Sequence, residues 1–353
     1  MRIGNSTISG EIDKTIFQII DFKDTIPNDT LFIHLNKNNT PVEYSRKIVV
    51  GVCMDSECRL VNIELFWNIT GRYLGFELPE NEFLSKTKHD PFNEAEYNRL
   101  HSLLADPLSA LANYSLNELV SETDSSKTYI DAVSSATISA VLDYIVEGAV
   151  YTTYTLWHIV YGTTKCEIEK LTIENLNSEL VLKILESDNF EDRIWVLNHI
   201  SNKMEITPEL QNNLLTIISG NDIYLAERSL NTLNPETLTD SIQIKLMAIF
   251  NNADFLRKRL IVSKLKETSI LAGNVVTYLS SELETMNGSL VKSTLELLKQ
   301  HSINSEVVVI QIAELLKSEN RYIAKQAFNY LKDLDNLNRK TLKKIDKYKR
   351  KRV

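Results

Sequence analysis

The chain has few of the residues that mark the specialised protein classes. Three cysteines in 353 residues cannot all pair and cannot staple a disulfide scaffold. Ten glycines and seven prolines are too few for a collagen-like or low-complexity chain, and 43% hydrophobic residues are too many for a disordered one. No apolar run is long enough and free of charge: the most apolar window, Ala136–Gly162, contains Asp143 and Glu147. A charge at mid-bilayer costs about 2.5–3.5 kcal/mol on insertion scales, so no membrane span is expected. Met1–Lys14 lacks an apolar core behind basic residues and predicts no signal peptide in this chain. Net positive charge is missing too. With 39 Lys and Arg against 47 Asp and Glu, the formal charge of −8 argues against a surface that clamps nucleic acid throughout. There is no glycine-rich phosphate loop, no Gly-x-Ser-x-Gly elbow and no His-Glu-x-x-His helix.

What is present divides into two halves, as the length suggests. Up to about Leu84, short runs rich in Ile, Val, Phe and Thr alternate with Asn, Asp, Gly and Pro. They predict strands over Thr15–Phe22, Thr30–Leu35, Lys47–Cys53 and Arg59–Trp67. Cys53 and Cys58 frame a tight turn between the last two, as a disulfide in an oxidising compartment or as two thiols in a reducing one. Asn93–Leu104 has helical spacing, ended by Asp106-Pro107, and Ser121–Lys127 reads as a polar loop. From Ser134, the residues Thr137, Ile138, Val141, Leu142 and Ile145 recur at helical spacing as far as Gly148.

Beyond Gly162 the chain repeats. Tetrads begin at Leu197, Leu230, Val262, Leu295 and Phe328, in steps of 33, 32, 33 and 33. Leu185, Ile218, Phe250, Leu283 and Leu316 follow with the same steps, and a polar turn separates the two sets each time. One period holds two helices that cannot bury their apolar stripes alone, so neighbours must stack. The signposts of ankyrin and tetratricopeptide repeats are missing. What remains resembles degenerate HEAT-type repeats, about five of them, with an irregular helical bundle as the alternative.

One stretch carries chemistry. Asp131-Ala132-Val133-Ser134-Ser135-Ala136-Thr137-Ile138-Ser139 places small residues and hydroxyls ahead of an apolar helix. Such a sequence can cap a helix; it can equally present a hydroxyl where free N–H groups stabilise a phosphodiester. The stretch resembles the flavinylation motif of FMN-binding domains, which occur in subunits of the Rnf and sodium-pumping NADH:quinone oxidoreductase complexes. Asp131, Ser134, Ala136, Thr137 and Ser139 match its fixed positions, and Ser135 stands where the family usually has glycine. The resemblance covers roughly residues 40–162, including Val49–Gly71 as a pair of domain-opening strands. It implies FMN joined through a phosphoester to Ser139 by a separate flavin transferase, and an extracytoplasmic location, periplasmic or surface-anchored.

Other candidates have plainer readings. Trp157-His158 fits a buried core pair better than a ring against a cofactor, and His89-Asp90 and His101 are too scattered for a metal site. Asn68-Ile69-Thr70 fits a glycosylation sequon. Trp195, Tyr224, Phe255 and Tyr322 suit core or groove lining in the repeats. Residues 339–353 hold nine Lys and Arg and one acid, a solvated basic end or a contact with an anionic surface such as a membrane. Leu342, Ile345 and Tyr348 fall on one side of that segment and could cap the stacked helices.

The sequence therefore predicts an FMN-binding-like α+β domain (1–164), an α-solenoid of HEAT-like repeats with a period of about 33 (165–335) and a basic tail (336–353). The expected function is that of an electron carrier or redox accessory protein rather than a stand-alone enzyme, with the repeats docking a redox or scaffold partner. The alternative is a protein-binding scaffold that has lost its flavin, with nucleic-acid binding disfavoured by the acidic charge.

Overall fold

The computed structural model describes residues 1, 6–8, 10–24, 26–52, 59–86, 89–119, 142–201, 203–335 and 337–350. They divide into two compact units, Met1–Leu176 with Lys183–Asp192, and Asn177–Leu182 with Arg193–Val353. The architecture is α+β: an N-terminal antiparallel sheet followed by a helical region.

Five strands stand side by side in chain order: β1 (Lys14–Ile19), β2 (Thr30–Leu35), β3 (Pro41–Val50), β4 (Val61–Asn68) and β5 (Tyr73–Glu77). Every neighbouring pair is antiparallel. Because side chains alternate across a strand, one face takes Tyr44, Arg46 and Ile48 of β3 opposite Trp67, Leu65 and Ile63 of β4. None of these six is more than 3% exposed. β3 starts at Pro41 rather than Lys47, because its first half buries Glu43, Ser45 and Arg46 and so carries no apolar signature. β5 was not foreseen, since Gly75 interrupts its apolar run at a φ of +150°.

Arg46 is an ion inside the core. Its guanidinium donates to both carboxylate oxygens of Asp24 (2.6 and 3.2 Å), twice to the Asn28 carbonyl (2.9 and 2.7 Å) and to the Thr164 hydroxyl (2.8 Å). It also lies 3.8 Å from the centre of the Phe22 ring. A charge buried this deeply is tolerated only when its donors are met.

Behind the sheet, α1 (Glu94–Leu104) starts with a capping box between Asn93 and Glu96 and buries Leu100, Leu103 and Leu104. A 3₁₀ turn (Ala110–Asn113), α2 (Leu116–Leu119), a 3₁₀ turn (Leu142–Tyr144), α3 (Val150–Val160) and α4 (Thr163–Glu174) follow. The helical spacing expected to run to Gly148 is not realised over the described residues 142–149. Gly148 adopts φ +74° and breaks the chain there, while Ile145 and Val146 are buried by an irregular segment.

The remaining helices are α5 (Ser178–Leu185), α6 (Phe190–Ile200), α7 (Pro208–Ser219), α8 (Ile223–Thr232), α9 (Asp240–Asn252), α10 (Phe255–Leu265), α11 (Gly273–Ser281), α12 (Gly288–Gln300), α13 (Glu306–Glu314), α14 (Arg321–Leu331) and α15 (Arg339–Arg350). Odd-numbered helices pack on odd ones from α7 to α15, and even on even from α8 to α14. The sequence period is written into the caps. Asn189, Asp222, Asp254, Asn287 and Asn320 each accept a backbone N–H from the helix they open, spaced 33, 32, 33 and 33 residues apart. The last tetrad residues, Ile200, Leu233, Leu265, Leu298 and Leu331, are all fully buried.

α15 continues this phase. Asn338 caps it through Thr341, and Thr341 and Ile345 are buried at the positions that Val308 and Ile312 occupy 33 residues earlier. Tyr348 stacks on Phe328 at 5.2 Å. Leu342, expected on the same side, is 48% exposed, because it sits at the edge of the buried stripe, about 100° around the helix from Thr341.

Candidate functional site

Asp131, Ser134, Ser135, Ala136, Thr137 and Ser139 lie outside the described residues, as do Cys53 and Cys58. The described segments that flank residues 120–141 do have a common support. α2 packs on α3, and residues 142–149 lead directly into α3. Arg99 of α1 holds the second flank by donating to the Asp143 carbonyl.

α3 carries an aromatic stripe at helical spacing, Tyr154, Trp157, His158 and Tyr161. Trp157 Nε1 donates to the Asp106 carbonyl (3.0 Å) and Tyr161 Oη to the Leu104 carbonyl (2.9 Å), tying the stripe to the end of α1. The rings are close: 4.1 Å between the centres of Tyr154 and His158, and 4.8 Å between those of Trp157 and Tyr161. Burial pushes the Tyr161 hydroxyl well above the ordinary phenol value, with Asp106 adding to it. Burial also lowers the His158 value from 6.5, against a hydrogen bond to the Leu111 backbone that pulls it up. The ring is therefore neutral at pH 7. Its Nε2 is buried and has no hydrogen-bond partner among the described residues. With the Leu111 bond assigned to the other ring nitrogen, Nε2 is an acceptor. The histidine expected to be a satisfied core residue is thus satisfied on one side only.

A second constellation was not legible in the sequence. The β4–β5 turn is closed by the Asn68 side chain, whose oxygen accepts from the backbone N–H of Thr70 (3.0 Å) and Arg72 (2.8 Å). Gly71 takes φ +76° there, where a Cβ would meet Lys165 Cγ at 2.9 Å. The turn aims Thr70 and Arg72 at Asp192, which is fully buried. Asp192 accepts from Arg72 Nε and Nη2 (both 3.0 Å), Thr70 Oγ1 (2.7 Å), Thr7 Oγ1 (2.7 Å), Asn68 Nδ2 (2.8 Å) and Ser187 Oγ (3.0 Å). Burial alone would raise its pKa; the Arg72 pair and the hydroxyls of Thr7 and Thr70 outweigh that and hold it below 3.8. A carboxylate with six donors has no lone pair free for acid–base work, so the cluster is a structural clasp. Asn68 is fully buried with its Nδ2 committed to Asp192 and Thr7, so the sequon is not presented to solvent.

A third lies on the other face of the sheet. Ser45 Oγ donates to Glu64 Oε1 (2.7 Å), so it accepts from His34 Nε2 (2.9 Å). His34 Nδ1 lies 2.9 Å from the Thr15 hydroxyl. The chain of contacts fixes the imidazole across four strands. His89 and His101 lie apart: His101 Nδ1 contacts the Tyr73 hydroxyl at 3.2 Å, and burial lowers its pKa. No group of three or more His, Cys, Asp or Glu side chains able to hold a metal ion occurs among the described residues. No described helix is long and apolar enough to cross a membrane.

Compared with protein-family models, with curated proteins and with solved structures, the chain matches none.

Proposed function

We propose that the chain is a flavin-carrying electron-transfer protein, with FMN joined covalently to Ser139 by a separate flavin transferase. The observation that carries the reading is the run Asp131–Ser139, in which Asp131, Ser134, Ala136, Thr137 and Ser139 fit the resembled motif position by position. The described helix that follows the motif, α3, offers aromatic area in Tyr154 and Trp157 with Tyr161 at its end, and His158 Nε2 is a buried acceptor without a partner among the described residues. When bound, FMN supplies the electron chemistry, while the chain holds and orients it. In this reading the 33-residue period forms a HEAT-like α-solenoid, a platform on which a redox partner docks. The resembled domains are modified outside the cytoplasm, so this reading expects an extracytoplasmic chain.

The test is the intact mass of the full chain co-expressed with a flavin transferase. The expected result is an FMN adduct on Ser139, absent in Ser139→Ala. Unmodified wild-type protein from the same cells overturns the reading.

A second reading rests on Ser135, which stands where the resembled motif usually has glycine. If that departure blocks modification, the chain is a protein-binding scaffold, and its working surface is the helical platform. Colourless protein that retains a partner through residues 165–335 would favour it.

A further inference from the structure

We infer that β1 is a docking edge for a second copy of this chain, which joins the two sheets edge to edge. Among the described residues β1 pairs with β2 alone, and all six of its residues are exposed. Sheet edges are normally blunted by proline or inward charge; β1 has no proline and a single charged residue, Lys14, at its first position. Instead it exposes Phe17 at 67% and Ile19 at 66% on one face, and Ile16 at 37% on the other. The Ile20 N–H donates to the Asp29 carbonyl, on the β2 side. Alternation then turns the N–H and C=O groups of Phe17 and Ile19 outward, with no partner strand among the described residues.

Two copies can share such an edge only around a two-fold axis perpendicular to the sheet, which keeps like faces together and pairs residues of the same parity. Charge selects among the registers. Setting Phe17 opposite Phe17 of the second copy places Asp13 against Asp21, and setting Ile16 opposite Ile16 places Glu11 against Asp21; like charges opposed are destabilising. Setting Gln18 opposite Gln18 removes both conflicts. Phe17 then meets Ile19 of the second copy twice, in hydrogen-bonded pairs. The four large apolar side chains close over one another on the same face. The occupant is therefore a second copy rather than an unrelated strand, because in this register the edge complements itself in apolar residues and opposes no like charges.

The experiment uses the full chain with Cys53, Cys58 and Cys166 changed to Ser and Gln18→Cys added. Gln18 would form a non-hydrogen-bonded pair across the axis, with Cα atoms about 4.5 Å apart, inside the range a disulfide spans. Expected are a dimer by light scattering and rapid disulfide formation on non-reducing gels. Phe17→Lys with Ile19→Lys should weaken dimerisation by about a hundredfold or more, with an unchanged circular dichroism spectrum, since both side chains are already exposed. A monomer at every soluble concentration overturns the inference. So does a dimer indifferent to the double lysine variant, or one that cross-links through Phe17→Cys and not through Gln18→Cys.

Discussion

Arg72 and Asp192, 120 residues apart in the chain, meet as a bidentate pair with both N···O distances at 3.0 Å. The carboxylate is fully buried, and the arginine is delivered by a turn closed by the Asn68 side chain, backbone bonds between Asn68 and Arg72, and a positive-φ glycine at position 71. The strand turn and the start of α6 are locked by one charge.

Removing that charge should be severe. Asp192→Ala leaves Arg72 without its counter-charge and strands the hydroxyls of Thr7 and Thr70, a loss of about 3–5 kcal/mol. Asp192→Asn keeps the shape and part of the hydrogen bonding and should lose less. Urea unfolding followed by tryptophan fluorescence checks both: Trp67 and Trp157 are buried in the same unit.

Stability should fall with acid in two separate windows. His158 and His101 are both held below 6.5 by burial, so the unfolded chain takes up their protons first. Their contribution is present above about pH 6.5 and fades as pH drops through the lower folded values. Asp192 and Asp24 are held below 3.8, burial being outweighed by Arg72 and Arg46 respectively. Their contribution persists at mid-acid pH and is lost only as pH falls below about 4. Melting temperature against pH should show two descents, and His158→Phe should shrink the first and leave the second. A single descent, or no change in His158→Phe, contradicts this assignment.

The repeat caps give a third expectation. Asp254→Ala removes the acceptor for the Arg257 N–H and should lose about 1 kcal/mol, as should Asp222→Ala and Asn287→Ala. Because neighbouring repeats share interfaces, these losses should appear as a lowered midpoint of the helical unit in denaturant. The same substitution at exposed Asn252, which caps nothing described, is the control.

The caps also explain why the helical half was legible and the sheet half less so. A cap followed by an apolar stripe repeats in sequence whenever helices repeat in space, so two independent residue sets carry the period. β2 was legible from its apolar run Leu31-Phe32-Ile33 with Leu35. β3 was read short because its buried face includes Arg46, and nothing local announces that Asp24, Asn28 and Thr164 will meet a guanidinium. The Asp192 clasp was invisible for the same reason: its members are ordinary polar residues separated by up to 185 positions. The capping side of α15 was legible in Ile345 and Tyr348, but its third member is Thr341, which carries no apolar signal, and not Leu342.

The cations of α15 support the last expectation. Thr341, Ile345 and Tyr348 face the neighbouring helices, and Lys344 pairs with Glu314. At 100° per residue, Arg339, Lys340, Lys343, Lys347 and Arg350 fall together on the opposite side, with no ion pair among the described residues. Asp346 is the one acid on that side, so the face keeps an excess of cations over what a polar outer surface needs. That excess fits a flat anionic surface, where each exposed cation adds about 1 kcal/mol, or roughly fivefold in binding. Duplex DNA would have to extend past this short arc onto a chain whose remaining residues carry a net −16, so a bilayer is the better match. The full chain should sediment with phosphatidylglycerol vesicles at low salt and not with phosphatidylcholine. Lys340→Glu, Lys343→Glu and Lys347→Glu together should weaken that binding by about a hundredfold or more. Retention on vesicles that survives the triple variant, or that ignores salt, would show that α15 is a cap and nothing else.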